Sequence, residues 1–194
     1  MKYRAAFAIL IAAPLAGCGI NSIPTAEETA KARWADVQND YQRRADLIPN
    51  LVSTVKAAGA QEKDILVQVT QARASANQIR GSGSDLSDPT KIAAYERAQA
   101  GVTLSLQRLQ EAYPELKSQG NYATLMSQLE GTENRIAIAR RDYNGAVQAY
   151  NTTIRTFPAA IGAKVIYGSK PMVPFAATTP GAETAPTVNF GNAS

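Results

Sequence analysis

Few residues in this 194-residue chain are equipped for chemistry. There is one cysteine, Cys18, and no histidine. Without histidine, Ser-His-Asp and Cys-His arrangements and zinc sites that need an imidazole are excluded. A phosphate-binding loop is also missing, because Gly81-Ser82-Gly83-Ser84 is not followed by the required Gly-Lys-Ser/Thr. Carboxylates remain. Glu130 and Glu133 lie one turn apart in the last long helical pattern, with Arg140 two turns beyond Glu133. Glu133 and Arg140 fall at the edge of that helix's apolar seam, and Arg44 falls within the seam of the first. A carboxylate pair could hold Ca²⁺ or Mg²⁺, but such ions need more oxygen ligands than two helix side chains supply. The expectation is therefore a half-buried ion network of Arg44, Glu133 and Arg140 that fixes helix register. No catalytic residue, metal site or cofactor is expected.

The elements that must position these residues begin with a leader. In "MKYRAAFAILIAAPLAGC", Lys2 and Arg4 form a basic segment, an apolar run of about a dozen residues follows, and Ala16-Gly17 offers a small-residue cleavage site. A spanning helix needs about 20 apolar residues, so the pattern is that of a secretory signal. Leu15-Ala16-Gly17-Cys18 resembles the bacterial lipoprotein box in all four positions. The resemblance implies a diacylglycerol on the Cys18 sulfur, cleavage before Cys18 and acylation of the new amine. The alternatives are an uncleaved N-terminal anchor, or a plain signal peptide followed by a free thiol. More than one acyl chain is needed for stable attachment to a bilayer. Gly19 stands where an aspartate retains many Gram-negative lipoproteins at the inner membrane, which favours the outer membrane if the source is Gram-negative.

Apolar residues make up 45% and charged residues 19% of the chain, as in an ordinary globular domain with tails. Without the leader the charge is 18 basic against 16 acidic residues, mixed along the chain. This does not resemble the basic stripe of a nucleic-acid binder. Thr25 and Glu28 have the spacing of a capping box and predict a helix start. Trp34, Tyr41, Ile48 and Val55 then recur at seven residues, with Val37 and Leu51 between them. Pro49 interrupts this run and predicts a kink, since the apolar phase continues through it. Gly59 lies in an apolar gap and predicts a turn, against the competing view of one helix of about 55 residues.

A second helix carries Ile65, Leu66, Val69, Ala72 and Ile79. Asp88-Pro89 reads as N-cap and first residue of a third. Pro114 and Gly120-Asn121 mark the next corner. The last helix places Tyr122, Leu129, Ile136, Tyr143, Tyr150 and Phe157 seven apart, and within it "YNGAV" and "YNTTI" echo one another at the same interval. "AAIGAKVIYG" reads as one short apolar helix, and the Pro/Thr/Ala-rich remainder as an extended, mostly flexible tail. The expected fold is an all-α, antiparallel up-and-down four-helix bundle. Its divisions are 1–17 signal peptide, 18–24 acylated tether, 25–165 bundle and 166–194 tail.

"RRADLIPNLVSTVK", "EAYPELK" and "ENRIAIARRDYNGAVQAYNTTIRTFP", in this order, resemble the LemA family of bacterial envelope proteins over roughly residues 25 to 165. The resemblance implies a four-helix bundle at the cell envelope without an established enzymatic activity. Two features depart from the pattern: a lipoprotein box replaces the transmembrane helix of many relatives, and Gln61-Glu62 lacks the histidine that many carry there. The functional expectation is a lipid-anchored, non-enzymatic interaction or scaffold module on the extracytoplasmic side, with envelope or membrane proteins as partners and no nucleic acid. A carboxylate-based metal binder or enzyme, and a membrane-shaping protein, are the alternatives. Cys18→Ser should abolish acylation and shift the protein from the membrane to the soluble fraction, or leave an uncleaved precursor. An unmodified cysteine at the mature wild-type N-terminus, read by mass spectrometry, would refute the anchor.

Overall fold

The structure, a computed structural model, describes residues 21–59, 62–79 and 86–176. Cys18, the leader, most of the Gly-Ser loop and residues 177–194 lie outside the described residues. Four principal helices follow one another: α1 (Ser22–Ala57), α2 (Lys63–Gln78), α3 (Pro89–Ala112) and α4 (Gly120–Thr153). A 3₁₀ turn, Pro114–Ser118, joins α3 to α4, and a short α5 (Ala159–Gly162) runs into a π-helical turn, Ala163–Tyr167. Among the described residues there is no strand, and no helix is long and apolar enough to cross a membrane.

The first helix starts three residues before the expected capping box. Thr25 is already inside it, its hydroxyl donating to the Asn21 carbonyl at 2.9 Å, and Glu28 pairs with Lys31 at 2.9 Å. The reason is tertiary: Ile23 is fully buried in a cluster with Ile154, Ala159 and Ala163. Pro24 does not oppose the early start, because the N–H it lacks would have no partner in a first turn. At the other end Gly59 adopts φ +86°, a left-handed conformation that costs glycine little, and closes α1. The single long helix is thereby excluded. The Asp88 cap forms as the sequence predicts, its Oδ1 accepting from the Thr90 N–H at 2.9 Å and the Thr90 hydroxyl at 2.6 Å. These bonds hold the Asp88 carboxyl below its ordinary pKa.

Pro49 sits inside α1, which continues through it. Proline has no N–H to give to the carbonyl four residues back, that of Ala45. That carbonyl is instead taken by Arg73 Nε of α2, at 2.7 Å. The lesion in one helix thus becomes the docking point of the next.

Shared contacts fix the directions. The N-terminal half of α1 (Trp34, Val37, Tyr41) clusters with Ile92 and Tyr95 of α3 and with Tyr143, Val147 and Tyr150 of α4. Its C-terminal half (Ile48, Leu51, Val55) clusters with Val102, Leu106 and Leu109 of α3, Tyr122, Met126 and Leu129 of α4, and Leu66 and Val69 of α2. Hence α1 and α3 run one way and α2 and α4 the other. At 16 residues, α2 spans about 24 Å, less than half the roughly 54 Å of the 36-residue α1. The half of the bundle that α2 does not reach is closed by Leu86, Met172 and Phe175. There Trp34 meets Tyr95, Tyr143 and Phe175 at ring-centroid distances of 5.2, 5.3 and 5.4 Å. Each such aromatic pair adds about 0.5–1.5 kcal/mol beyond its area burial.

Two expectations differ at the C-terminal end. Phe157 extends the heptad of α4 on paper, but α4 ends at Thr153 and Phe157 is 81% exposed. After Gly168, which turns the chain in a left-handed conformation, residues 169–176 form no helix, as expected, but they are packed on the bundle, with Met172 and Phe175 buried. Arg73→Ala should cost about 1.5–3 kcal/mol in urea denaturation, the range for a hydrogen bond involving a charged group. In a Pro49→Ala background, where the Ala45 carbonyl regains a helical donor, the same change should cost clearly less. Equal costs in the two backgrounds would refute the link.

Candidate functional site

The seams carry polar residues at corresponding heptad positions. Arg44 lies seven residues from Val37 and from Leu51, Gln99 seven from Ile92 and from Leu106, and Glu133 seven from Met126 and from Arg140. In the folded chain Arg44, Gln99 and Glu133 meet between the two apolar clusters. The Arg44 guanidinium is buried. Its Nη1 donates to both Glu133 carboxylate oxygens at 3.0 and 2.8 Å and to the Thr103 hydroxyl at 2.9 Å. Its Nη2 donates to the Gln99 carbonyl at 3.1 Å and to Gln99 Oε1 at 2.8 Å. Thr103 in turn donates to Glu133 Oε1 at 2.9 Å. The guanidinium carbon also lies 5.0 Å from the centre of the Tyr41 ring. Burial pushes the Tyr41 hydroxyl above its ordinary pKa, against the opposing pull of Arg140 and Arg44.

Of the residues predicted from sequence, Arg44 and Glu133 come together, while Arg140 belongs to a neighbouring pair. Arg140 Nη2 donates to Glu96 Oε1 at 3.0 Å and to the Ala176 carbonyl at 3.1 Å, and its guanidinium lies over the Phe175 ring at 4.6 Å. Glu130 is exposed and takes no part in the network. Gln99, Thr103 and Glu96 were not predicted. Gln99 was legible as the polar residue at a seam position of α3, whereas Thr103 and Glu96 gave no signal, being ordinary surface residues by pattern. Among the described residues no group of three or more candidate ligands could hold a metal ion.

These residues line a groove of about 870 Å³ between α3 and α4, with Tyr41 and Arg44 of α1 on its floor and Leu104 and Ala137 on its walls. One end of the groove is closed by the chain itself. Asn144 Oδ1 accepts from the Phe175 N–H at 2.8 Å, and its Nδ2 donates to the Phe175 carbonyl at 3.1 Å. Asn151 does the same for Met172, at 2.9 and 2.8 Å. The preceding tyrosines add one bond each: Tyr143 donates to the Val173 carbonyl at 3.0 Å and Tyr150 to the Lys170 carbonyl at 3.2 Å. Burial raises the pKa of both hydroxyls, which keeps them protonated as donors. The echo of "YNGAV" and "YNTTI" is therefore a two-rung clamp for an extended chain. Seven helical residues advance about 10.5 Å, and three extended residues about 9–10 Å, so Tyr-Asn pairs seven apart grip residues three apart.

The gripped segment suits the clamp. Pro171 and Pro174 have no N–H to satisfy and face outward. The N–H groups of Met172, Val173, Phe175 and Ala176 are all taken, that of Val173 by the Leu86 carbonyl at 2.8 Å and that of Ala176 by Glu96 at 2.9 Å. Within the groove, the Glu133 side chain is 43% exposed against 3% for Arg44. Glu133→Gln should accordingly cost about 1–3 kcal/mol in urea denaturation, the range for losing hydrogen bonds to a charged group, and not the larger cost of a fully buried pair. Unchanged stability would mean that the network does not contribute to the fold.

The sequence profile of the LemA family matches residues 33–190. Magnetosome protein MamQ 2 and magnetosome protein MamQ 1 of Paramagnetospirillum magneticum are each 29% identical to the chain over 157 residues, covering 71% of this chain and 58% of theirs. Magnetosome protein MamQ of Magnetospirillum gryphiswaldense is 28% identical over the same length, with the same coverage. The chain thus spans a little over half the length of these curated relatives. The match covers α2, α3, α4, the Tyr-Asn clamp and α1 from Arg33 onward, and on it the chain belongs to the LemA family.

Proposed function

We propose that the protein is a membrane-tethered, non-enzymatic interaction module, in which the α3–α4 groove receives an extended segment of a partner at the same membrane. The observation that carries this reading is the groove itself. Its clamped end shows how the site holds main chain, through side-chain amides, hydroxyls and the Glu96–Arg140 pair. The groove continues over Gln99, Thr103, Leu104 and Glu133, which no other described residue covers. These groups offer a carboxylate, an amide and a hydroxyl to a backbone, with apolar walls for side chains, which is how extended peptides are recognised on a rigid scaffold. The curated relatives are named for a cellular structure, the magnetosome, and not for a reaction, which agrees with a structural role.

Tethering supports the same reading. If Cys18 carries acyl chains, three residues separate it from the start of the helical domain at Ser22, a reach of about 14 Å at full extension. A partner must then lie at that membrane, where its effective concentration is high and a modest interface suffices. A photo-crosslinking residue in place of Leu104, which is half exposed in the groove, should give discrete adducts with membrane proteins in cells. The same residue in place of Val67, equally exposed on α2, should not, and Cys18→Ser should remove the Leu104 adducts. Identical adducts from the two positions, or none from either, would overturn the assignment of the groove.

A further inference from the structure

The corner formed by α5 and the π-helical turn exposes large apolar side chains to an unusual degree. Phe157 is 81% and Val165 78% exposed, and Ile161, Ile166 and Tyr167 are exposed beside them. Ile161 and Val165 are four residues apart in continuous helical backbone, so they share a face, while Ala159, Gly162 and Ala163 bury the opposite face against the bundle. The charge carried by the segment itself has one sign. Residues 143–176 contain Arg155, Lys164 and Lys170 and no acidic residue, and all three cations are exposed. The acid across the nearby cleft, Glu27, is engaged by Lys31 at 2.8 Å, and the same lysine holds Glu28 at 2.9 Å.

The position of this corner selects its partner. Ala159 and Ala163 share an apolar cluster with Ile23, and Tyr167, Gly168 and Lys170 line a cleft with Glu27 and Lys31. The corner therefore lies at the end of the bundle where α1 begins, the end next to Cys18. We infer that the face formed by Phe157, Ile161, Val165 and Ile166, with Lys164, Lys170 and Arg155 around it, inserts into the interfacial region of an anionic lipid bilayer and orients the bundle on it. An apolar face ringed by lysine and arginine is the composition that lies in the plane of a membrane interface, with its apolar side chains at the headgroup–acyl boundary. The placement of residue 18 rests on the tethered reading above. The exposed face and its charge do not.

With Cys18 acylated, an introduced cysteine is the sole free thiol. Val165→Cys and Val67→Cys, each carrying an environment-sensitive fluorophore, are reconstituted as the full acylated protein into phosphatidylcholine–phosphatidylglycerol vesicles. The label at 165 should shift to the blue and lose most of its emission to nitroxide lipids quenching at shallow depth, while the label at 67 stays water-like. Adding Ile166→Asp should reverse both signals at 165, and because Ile166 is exposed the thermal melt should not change. A water-like label at 165 on vesicles that retain the protein overturns the inference and leaves the anchor standing. Shielding at 165 that rises with protein concentration without lipid also overturns it, in favour of a second copy of the chain. Mass spectrometry of the same sample reads acylation separately. If acyl chains are absent, lipid quenching at 165 on added vesicles still supports insertion, and its absence removes insertion and anchor together.

Discussion

A guanidinium in the middle of a helical bundle must be given acceptors by other chain segments, because an unpaired buried charge costs several kcal/mol. Arg44 meets that demand with four acceptor groups: the Glu133 carboxylate, the Thr103 hydroxyl, and the main-chain and side-chain oxygens of Gln99. They come from α3 and α4, so the bonds hold if the three helices share one register, and a slip of one helical turn would break them. The apolar clusters on either side have no such directionality and would tolerate sliding. The polar layer thus supplies specificity while the clusters supply most of the burial.

The same layer explains the groove. A fully apolar junction would draw α3 and α4 together. A carboxylate that must remain partly hydrated holds them apart, and Glu133 is 43% exposed on that side. Toward the aromatic half the gap is filled by residues 169–176, which are hydrogen-bonded to α4 and to Glu96 of α3. Toward α2 no described residue fills the gap. A groove that holds extended main chain at one end and offers the same kinds of polar group along the rest is the feature on which the proposed interaction role rests.

At the end of the bundle where α1 begins, buried and exposed apolar residues divide the labour of α5 and the π-helical turn. Small residues, Ala159, Gly162 and Ala163, face the bundle and allow close approach, while the bulky Phe157, Ile161, Val165 and Ile166 are left outside. Leaving the bulky residues in water is unfavourable unless something covers them. The proposed bilayer contact gives them an apolar environment at the end of the molecule that an acyl anchor would draw down.

Local pattern alone determined the helices and most of their corners. Heptad spacing marked the buried faces of α1 and α4, Asp88-Pro89 marked the start of α3, and Gly59 a stop, because each of these signals acts through backbone or side-chain geometry within a few residues. Pattern also marked Arg44 and Glu133 as charges on a seam. Tertiary structure alone decided who meets whom. Burial of Ile23 moved the start of α1 ahead of its capping box, and the end of α4 at Thr153 left Phe157 in water despite its heptad position. Arg140 turned to Glu96 and the Ala176 carbonyl, while Glu133 is held by Arg44 and Thr103. For the same reason the tail segment 169–176 gave no sign in the sequence that it would pack on the bundle. Its prolines and small residues signal an extended chain that cannot form a core by itself, and only α4, with Tyr-Asn pairs at a matching repeat, supplies the hydrogen bonds that hold such a chain in place.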